Sequence, residues 1–160
     1  MILVVSDTSA ISALLQIGEI DILQKLYDRV LIPQAVQLEL LRGHHAIPDF
    51  IHVHAVALSP ELESRLDFLD EGEACAITLA QQIHADLLLI DEKKGRAEAE
   101  QARLKFIGLV GVLVEAKRRG VILLIRPLLD QLIVEAGFRL ASSLRSAVLR
   151  EVGESAEAAP

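Results

Sequence analysis

Ile2-Leu3-Val4-Val5-Ser6-Asp7-Thr8-Ser9 is an uncharged apolar run closed by an aspartate and two small hydroxyl residues. Such a run suits a strand buried on both faces, as in the middle of a parallel sheet. Thr8 or Ser9 can cap a helix that runs to about Ile17 and stops at Gly18. The pattern recurs at Leu87-Leu88-Leu89-Ile90-Asp91, where an apolar run again ends in an acid and a polar helical stretch follows to about Leu104. Short apolar runs alternating with stretches of helical period predict an α/β fold around a parallel sheet.

The rest of the chain extends this alternation. A second helix is expected over Glu19 to Tyr27, a strand over Arg29 to Ile32, and a helix from Pro33 to about Arg42. Ile51 to Leu58 reads as a strand, Ser59-Pro60 as a helix start, and Asp70-Glu71-Gly72-Glu73 as the opening of a helix to about His84. Lys105 to Ile107 reads as a short strand, Gly108 to Gly111 as a turn before a helix ending at Gly120. Two helices follow from about Pro127, with Leu132, Ile133, Ala136, Leu140, Leu144, Ala147 and Val148 on faces that pack on the domain or on a second copy. One domain over 1–150 is expected, with 151–160 a flexible acidic tail; no internal repeat divides the chain.

At 160 residues, 52% hydrophobic and 24% charged, the chain can build one well-packed core and is too apolar for intrinsic disorder. Its apolar runs, such as Ile107 to Val114, fall far short of a membrane span. Ile2 to Val5 lacks a basic start and meets Asp7 at once, so it reads as a strand and not a signal peptide; the cytoplasm is expected. Cys75 stands alone, which excludes an intramolecular disulfide and a cysteine-rich zinc site. A net charge of −7 disfavours binding a polyanion by bulk electrostatics, but residues 1–90 sum to −9 whereas Asp91 to Arg126 sum to +4. One end of the fold could carry a basic patch.

In open parallel sheets ligands gather beyond the carboxyl ends of the strands, which singles out Asp7 and Asp91. Helix capping explains either one equally well in isolation. Glu39 falls on the helical face of Ile32, Ala35, Val36 and Gly43, where a carboxylate needs a metal ion or an Arg beside it unless it sits at the boundary. Glu73 shares a stripe with Ile77, Ala80 and His84, although Asp70-x-x-Glu73 also matches an Asp-led capping box. Two strand-end aspartates and two inward glutamates make an all-oxygen donor set suited to Mg²⁺ or Mn²⁺, and hydrolysis of a phosphodiester is the reaction such a set serves best.

These residues also carry a resemblance. Ser6-Asp7-Thr8-Ser9, Pro33-x5-Glu39-Leu40, Asp70-Glu71-Gly72-Glu73-Ala74, Leu89-Ile90-Asp91-Glu92-Lys93-Lys94-Gly95-Arg96, Gly108-x-x-Gly111-Val112-Leu113 and Ala116-Lys117-x-x-Gly120 occur in an order and spacing that resembles the PIN-domain superfamily of metal-dependent ribonucleases. Within it the chain is similar to a prokaryotic branch related to VapC-type toxins. The resemblance implies a three-layer α/β/α domain with a central parallel sheet, in which Asp7, Glu39, Glu73 and Asp91 surround one or two divalent ions. It implies RNA cleavage, often by a homodimer neutralised by a cognate antitoxin protein. Asp7 would be the central ligand, Glu39 and Asp91 would complete or orient the metal's surroundings, and Glu73 would bind the metal or position water. Thr8 and Ser9 would offer hydroxyls beside these ligands. Leu109 stands in a turn where relatives often have Thr.

Lys93, Lys94 and Arg96 follow Asp91 closely enough to receive phosphates of an RNA strand, or are a solvated helix start. Lys117, Arg118 and Arg119 suit a helix C-terminus without any ligand. With one Tyr and four Phe there is little material for base stacking. His44-His45 and His52-x-His54 invite zinc, but without Cys they read more simply as solvated histidines. Ser9 stands where an aspartyl-phosphatase would want a second Asp, and Ser6 where a receiver domain would want an acid, which weakens both. Two readings stay open: a toxin-type endoribonuclease, and a catalytically idle PIN-like module that binds a partner or dimerises.

Overall fold

Strand β1 (Val4–Ser6) lies at the centre of a five-stranded sheet in the computed structural model, which describes residues 2–155. The other strands are β2 (Val30–Ile32), β3 (Ile51–Val53), β4 (Leu87–Leu89) and β5 (Phe106–Ile107), in the order β3-β2-β1-β4-β5, every pair parallel. Among the described residues, helices α1 (Thr8–Gln16), α2 (Asp21–Tyr27), α3 (Gln34–Gly43), α4 (Pro60–Leu66), α5 (Glu71–Gln82), α6 (Lys93–Gln101), α7 (Leu109–Arg118), α8 (Arg126–Val134) and α9 (Ser142–Glu151) complete the chain.

Successive side chains of a strand point to opposite faces, and here that alternation builds two cores. Val4, Val30, Ile32 and Leu89 join Ile11, Leu14, Leu113, Leu129, Leu132 and Leu149 on one face. Val5, Leu31 and Leu88 join Leu62, Ile77, Leu79 and Ala99 on the other. This is the expected three-layer α/β/α arrangement. On the second face buried Arg65 donates to Glu98, Thr78 and Gln81, tying α4 to α5 and α6. Of the last two helices, α8 and α9 place Leu128, Leu129, Leu132 and Leu149 in the core, while Leu144 and Ala147 are exposed. No helix among the described residues is long and apolar enough to cross a membrane.

Three local expectations are corrected. The strand expected over Ile51 to Leu58 is only Ile51–Val53, because this edge strand pairs with β2 alone and the chain then leaves the sheet. Gly108 to Gly111 is no turn: Gly108 is the N-cap of α7, and the helix begins at Leu109. Nor does a loose tail begin at residue 151. Glu151 ends α9, and the Glu154 carboxylate accepts from Ile125 N at 2.8 Å, Arg126 N at 3.0 Å and Lys117 Nζ at 2.8 Å, satisfying the start of α8 from a distant part of the chain. The rest of the expected tail, residues 156–160, lies outside the described residues.

Burial alone would raise the Glu154 pKa, but these hydrogen bonds outweigh it and hold the carboxyl below its usual value. Its contribution is therefore present above the unfolded-state pKa of about 4.5 and is lost as pH falls through the lower folded value. Glu154→Ala should cost about 2 kcal/mol. A lowered urea midpoint at pH 7, converging with wild type at strongly acidic pH, is the result that checks it.

Candidate metal centre

The chain moves outward from β1 to β2 and β3, then returns to the other side of β1 for β4 and β5. The order therefore reverses between β1 and β4, the position where open α/β sheets bind ligands. Ser6 pairs in register with Leu89, and Asp7 N donates to Leu89 O at 3.1 Å, so Asp7 and Asp91 leave the same sheet edge side by side. Both also cap helices. Asp7, and not Thr8 or Ser9, is the N-cap of α1, its Oδ1 accepting from Ser9 N at 3.2 Å. Both oxygens of Asp91 accept from Leu109 N at 3.2 Å, so the backbone of α7 supplies the hydrogen bond that a leucine side chain cannot. The capping and functional explanations of these aspartates coexist in one geometry.

Asp7 is 2% exposed. Burial, then the negative charges of Asp91, Asp70 and Glu39, push its carboxyl up to about 8 against the opposing hydrogen bond from Ser9. Asp91 is raised by burial too, with the Leu109 N–H and the Arg96 charge pulling the other way. Glu39 faces inward from α3, which packs against both α1 and α5, and its Oε2 accepts from Thr8 Oγ1. Glu73 is buried in the first turn of α5, and its carboxyl is raised to about 8 by burial, by a hydrogen bond with Asp70 and by the charges of Asp70 and Asp7.

Half of the expected capping box exists: Asp70 Oδ1 accepts from Glu73 N at 2.8 Å. Asp70 is more than a cap, however, for it lines a cavity of about 40 Å³ with Asp7, Thr8, Ser9, Glu39 and Glu73. It is a fifth carboxylate of the site, and its sequence signal was hidden inside the capping motif. Asp91 flanks this cavity from the neighbouring cleft. Three glycines let the acids approach the helices. A Cβ on Gly72 would lie 2.6 Å from Glu39 Oε1, one on Gly95 3.0 Å from Glu73 Oε2, and one on Gly108 2.5 Å from Asp91 Oδ1.

None of the ion pairs among the described residues involves any of these five carboxylates. A divalent cation fits the oxygen-only donors and the unmatched charge. Yet among the described residues no three His, Cys, Asp or Glu side chains stand together as a ready-made metal site. Thr8 Oγ1, Ser9 N and Leu109 N donate to Glu39, Asp7 and Asp91 separately, and a cation would have to draw these acids together. The histidine pairs form no such group either: His44 Nε2 lies 3.0 Å from Ser12 Oγ, and His54 Nδ1 2.9 Å from Ala55 O.

The basic stretch divides. Lys93 and Lys94 are exposed in the first turn of α6, where their charge opposes the helix dipole. Arg96 turns inward: its Nε donates to Ile90 O at 3.1 Å, and its guanidinium lies 5.8 Å from the Phe106 ring centroid. Arg96 therefore braces the Asp91 loop through its Nε. Lys117 and Arg119 are bound to Glu154 and Leu26 O at the far end of α7, about 15 Å of helix from Leu109. A cleft of about 520 Å³ opens beside the acids, walled by α1, by Asp91 and Glu92, and by Ala136 to Arg139 between α8 and α9. Of that wall, the hydrophobic periodicity points only to Ala136.

The family model DUF3368, described as a PIN domain, matches residues 3–154. This chain belongs to the PIN-domain family. PIN domains are generally nucleases, which accords with acids gathered at a sheet's switch point. A solved structure of a PilT N-terminus domain protein from the hyperthermophilic archaeon Sulfolobus solfataricus has a TM-score of 0.54 to this PIN domain, with 18% identity over 71% of this chain and 92% of that one. At such identity the likeness concerns the fold. No curated protein matches the chain.

Proposed function

We propose that this PIN domain is a metal-dependent endoribonuclease that hydrolyses RNA phosphodiester bonds, using Mg²⁺ or Mn²⁺ held by Asp7, Glu39, Glu73 and Asp91. The observation that carries the reading is Asp7: a carboxyl 2% exposed, among other carboxylates and without a cation partner, either keeps its proton to about 8 or needs a cation to ionise. The ion would supply Lewis acidity, making a nucleophile from water near neutral pH and offsetting charge on the leaving oxygen. Asp7 and Asp91, fixed by their caps, present oxygens at the sheet edge. Thr8 orients Glu39. Glu73, its carboxyl raised to about 8, would give up or take back a proton beside the site. Exposed Lys93 and Lys94 would meet the phosphates of the strand.

The resemblance to VapC-type toxins extends the proposal to the toxin of a toxin-antitoxin pair, a cytoplasmic homodimer with a cognate antitoxin protein. The second reading, an idle interaction module, is favoured by the acids standing apart as they do. Incubation of mixed single-stranded and structured RNA with Mg²⁺, Mn²⁺ or EDTA tests the first reading; cuts should require the metal and Asp7. Without cuts, a calorimetric Mn²⁺ titration decides: uptake that depends on Asp7 means a competent site lacking its RNA, and no uptake means the idle module.

Gly72→Ala gives a finer test. Its Cβ would lie within 3.0 Å of three atoms, all of them in the carboxyl end of Glu39. Cleavage should fall about 10- to 100-fold, while stability should stay within about 0.5 kcal/mol of wild type. An unchanged cleavage rate with a shifted melting midpoint would contradict the role given to Glu39.

A further inference from the structure

The 520 Å³ cleft shares Thr8 and Ser9 with the acid cavity, so the two hollows adjoin. One wall is a polar stripe of α1: Ser9, Ser12 and Gln16 recur at spacings of three and four and share a face. The opposite wall is the connection between α8 and α9. Gly137, at φ 64°, turns the chain back there, setting half-buried Phe138 and exposed Arg139 across from α1. Arg139 is the one basic residue in the lining. Although Asp91 and Glu92 border the same cleft, Arg139 makes no ion pair or hydrogen bond among the described residues.

A strand of RNA drawn across the acids would meet cations on both sides, Lys93 and Lys94 beyond Glu92 and Arg139 across the cleft. The volume falls in the range of small-molecule sites and accommodates a nucleotide. Hydroxyls, an amide and one ring are groups that read ribose and base, and a guanidinium suits a phosphate.

We infer that this cleft seats the nucleotide next to the scissile bond, with Arg139 binding a phosphate of the strand and Gln16 contacting the nucleotide. The inference rests on the nuclease reading of the adjoining acids and adds to it a substrate-positioning surface. The test measures fluorescence anisotropy of a labelled, mixed-sequence single-stranded 12-nucleotide RNA, in the Asp7→Asn background so that no cleavage intervenes. Arg139→Ala should weaken binding by about three- to tenfold and lower the log–log salt slope by about 0.7, the value for one phosphate contact on a single strand. Arg139→Lys should recover most of the affinity, and Gln16→Ala should weaken binding without changing the salt slope. In the Asp7-intact enzyme, Arg139→Ala should raise KM while leaving kcat within about twofold.

RNA binding that is indifferent to Arg139 and Gln16, alongside intact cleavage by wild type, overturns the inference alone and leaves the cleft to a protein partner. Absence of both RNA binding and cleavage in wild type overturns it together with the nuclease reading. Equal melting midpoints of the Arg139 variants and their parent exclude unfolding as the cause of a loss.

Discussion

Asp7→Asn is expected to lower metal-dependent RNA cleavage by on the order of 10³-fold or more and, at the same time, to raise the melting midpoint of the metal-free protein. Asparagine keeps the side-chain oxygen that accepts from Ser9 N, so α1 remains capped. It removes a charge that burial and three neighbouring carboxylates all oppose. At pH 8.5 the gain should be about 1–3 kcal/mol, or several degrees for a domain of this size. Cleavage rates and calorimetry on one preparation read both effects. A variant that cuts like wild type would sink the assignment of Asp7, and one that melts earlier would sink the account of its unmatched charge.

The second large effect is the dependence of stability on pH and metal. In the unfolded chain Asp7 and Glu73 release their protons near their ordinary values of 3.8 and 4.5, whereas in the fold each keeps its proton to about 8. Between those limits the folded state binds more protons, so the stability of the metal-free protein falls as pH rises from about 4 to about 8 and then levels off. A bound divalent ion takes the place of the protons. Millimolar Mn²⁺ should therefore raise the midpoint more at pH 8.5 than at pH 6, where protons compete for the same oxygens. Midpoints from pH 5 to 9 in EDTA and in Mn²⁺ check this, with Asp7→Asn flattening the EDTA curve. An EDTA curve that climbs through the window would contradict it.

Much of this is legible in the sequence. The apolar runs at Val4 to Ser6 and Leu87 to Leu89 are short, uncharged and closed by acids, so the parallel sheet and its acidic edge followed from local pattern alone. Glu39 and Glu73 were betrayed by helical phase. What stayed hidden depends on contacts between distant residues. Asp91 meets the backbone of Leu109, and Glu154 meets the N–H groups of Ile125 and Arg126; a backbone donor leaves no trace in side-chain identity. A small acidic C-terminal stretch thus read as loose although Glu154 anchors it. Proximity to Asp91 in sequence does not reveal that α6 turns the Arg96 Nε back onto Ile90 O. Gly137 to Arg139 give no signal, because a connection between helices has no period to read.

The three glycines beside Glu39, Glu73 and Asp91 carry no charge and take part in no chemistry, yet one added carbon would crowd Glu39 at Gly72, Ile90 and Glu73 at Gly95, and Arg96 and Asp91 at Gly108. The mutational target for silencing this protein is accordingly wider than its acids. Where cells gain by shedding the activity, alleles at Gly72, Gly95 and Gly108 should arise beside alleles at the acids. At Gly72 the nearest atoms are the far end of one side chain, so such an allele should leave a normal amount of folded protein and escape any screen that scores abundance in place of cutting.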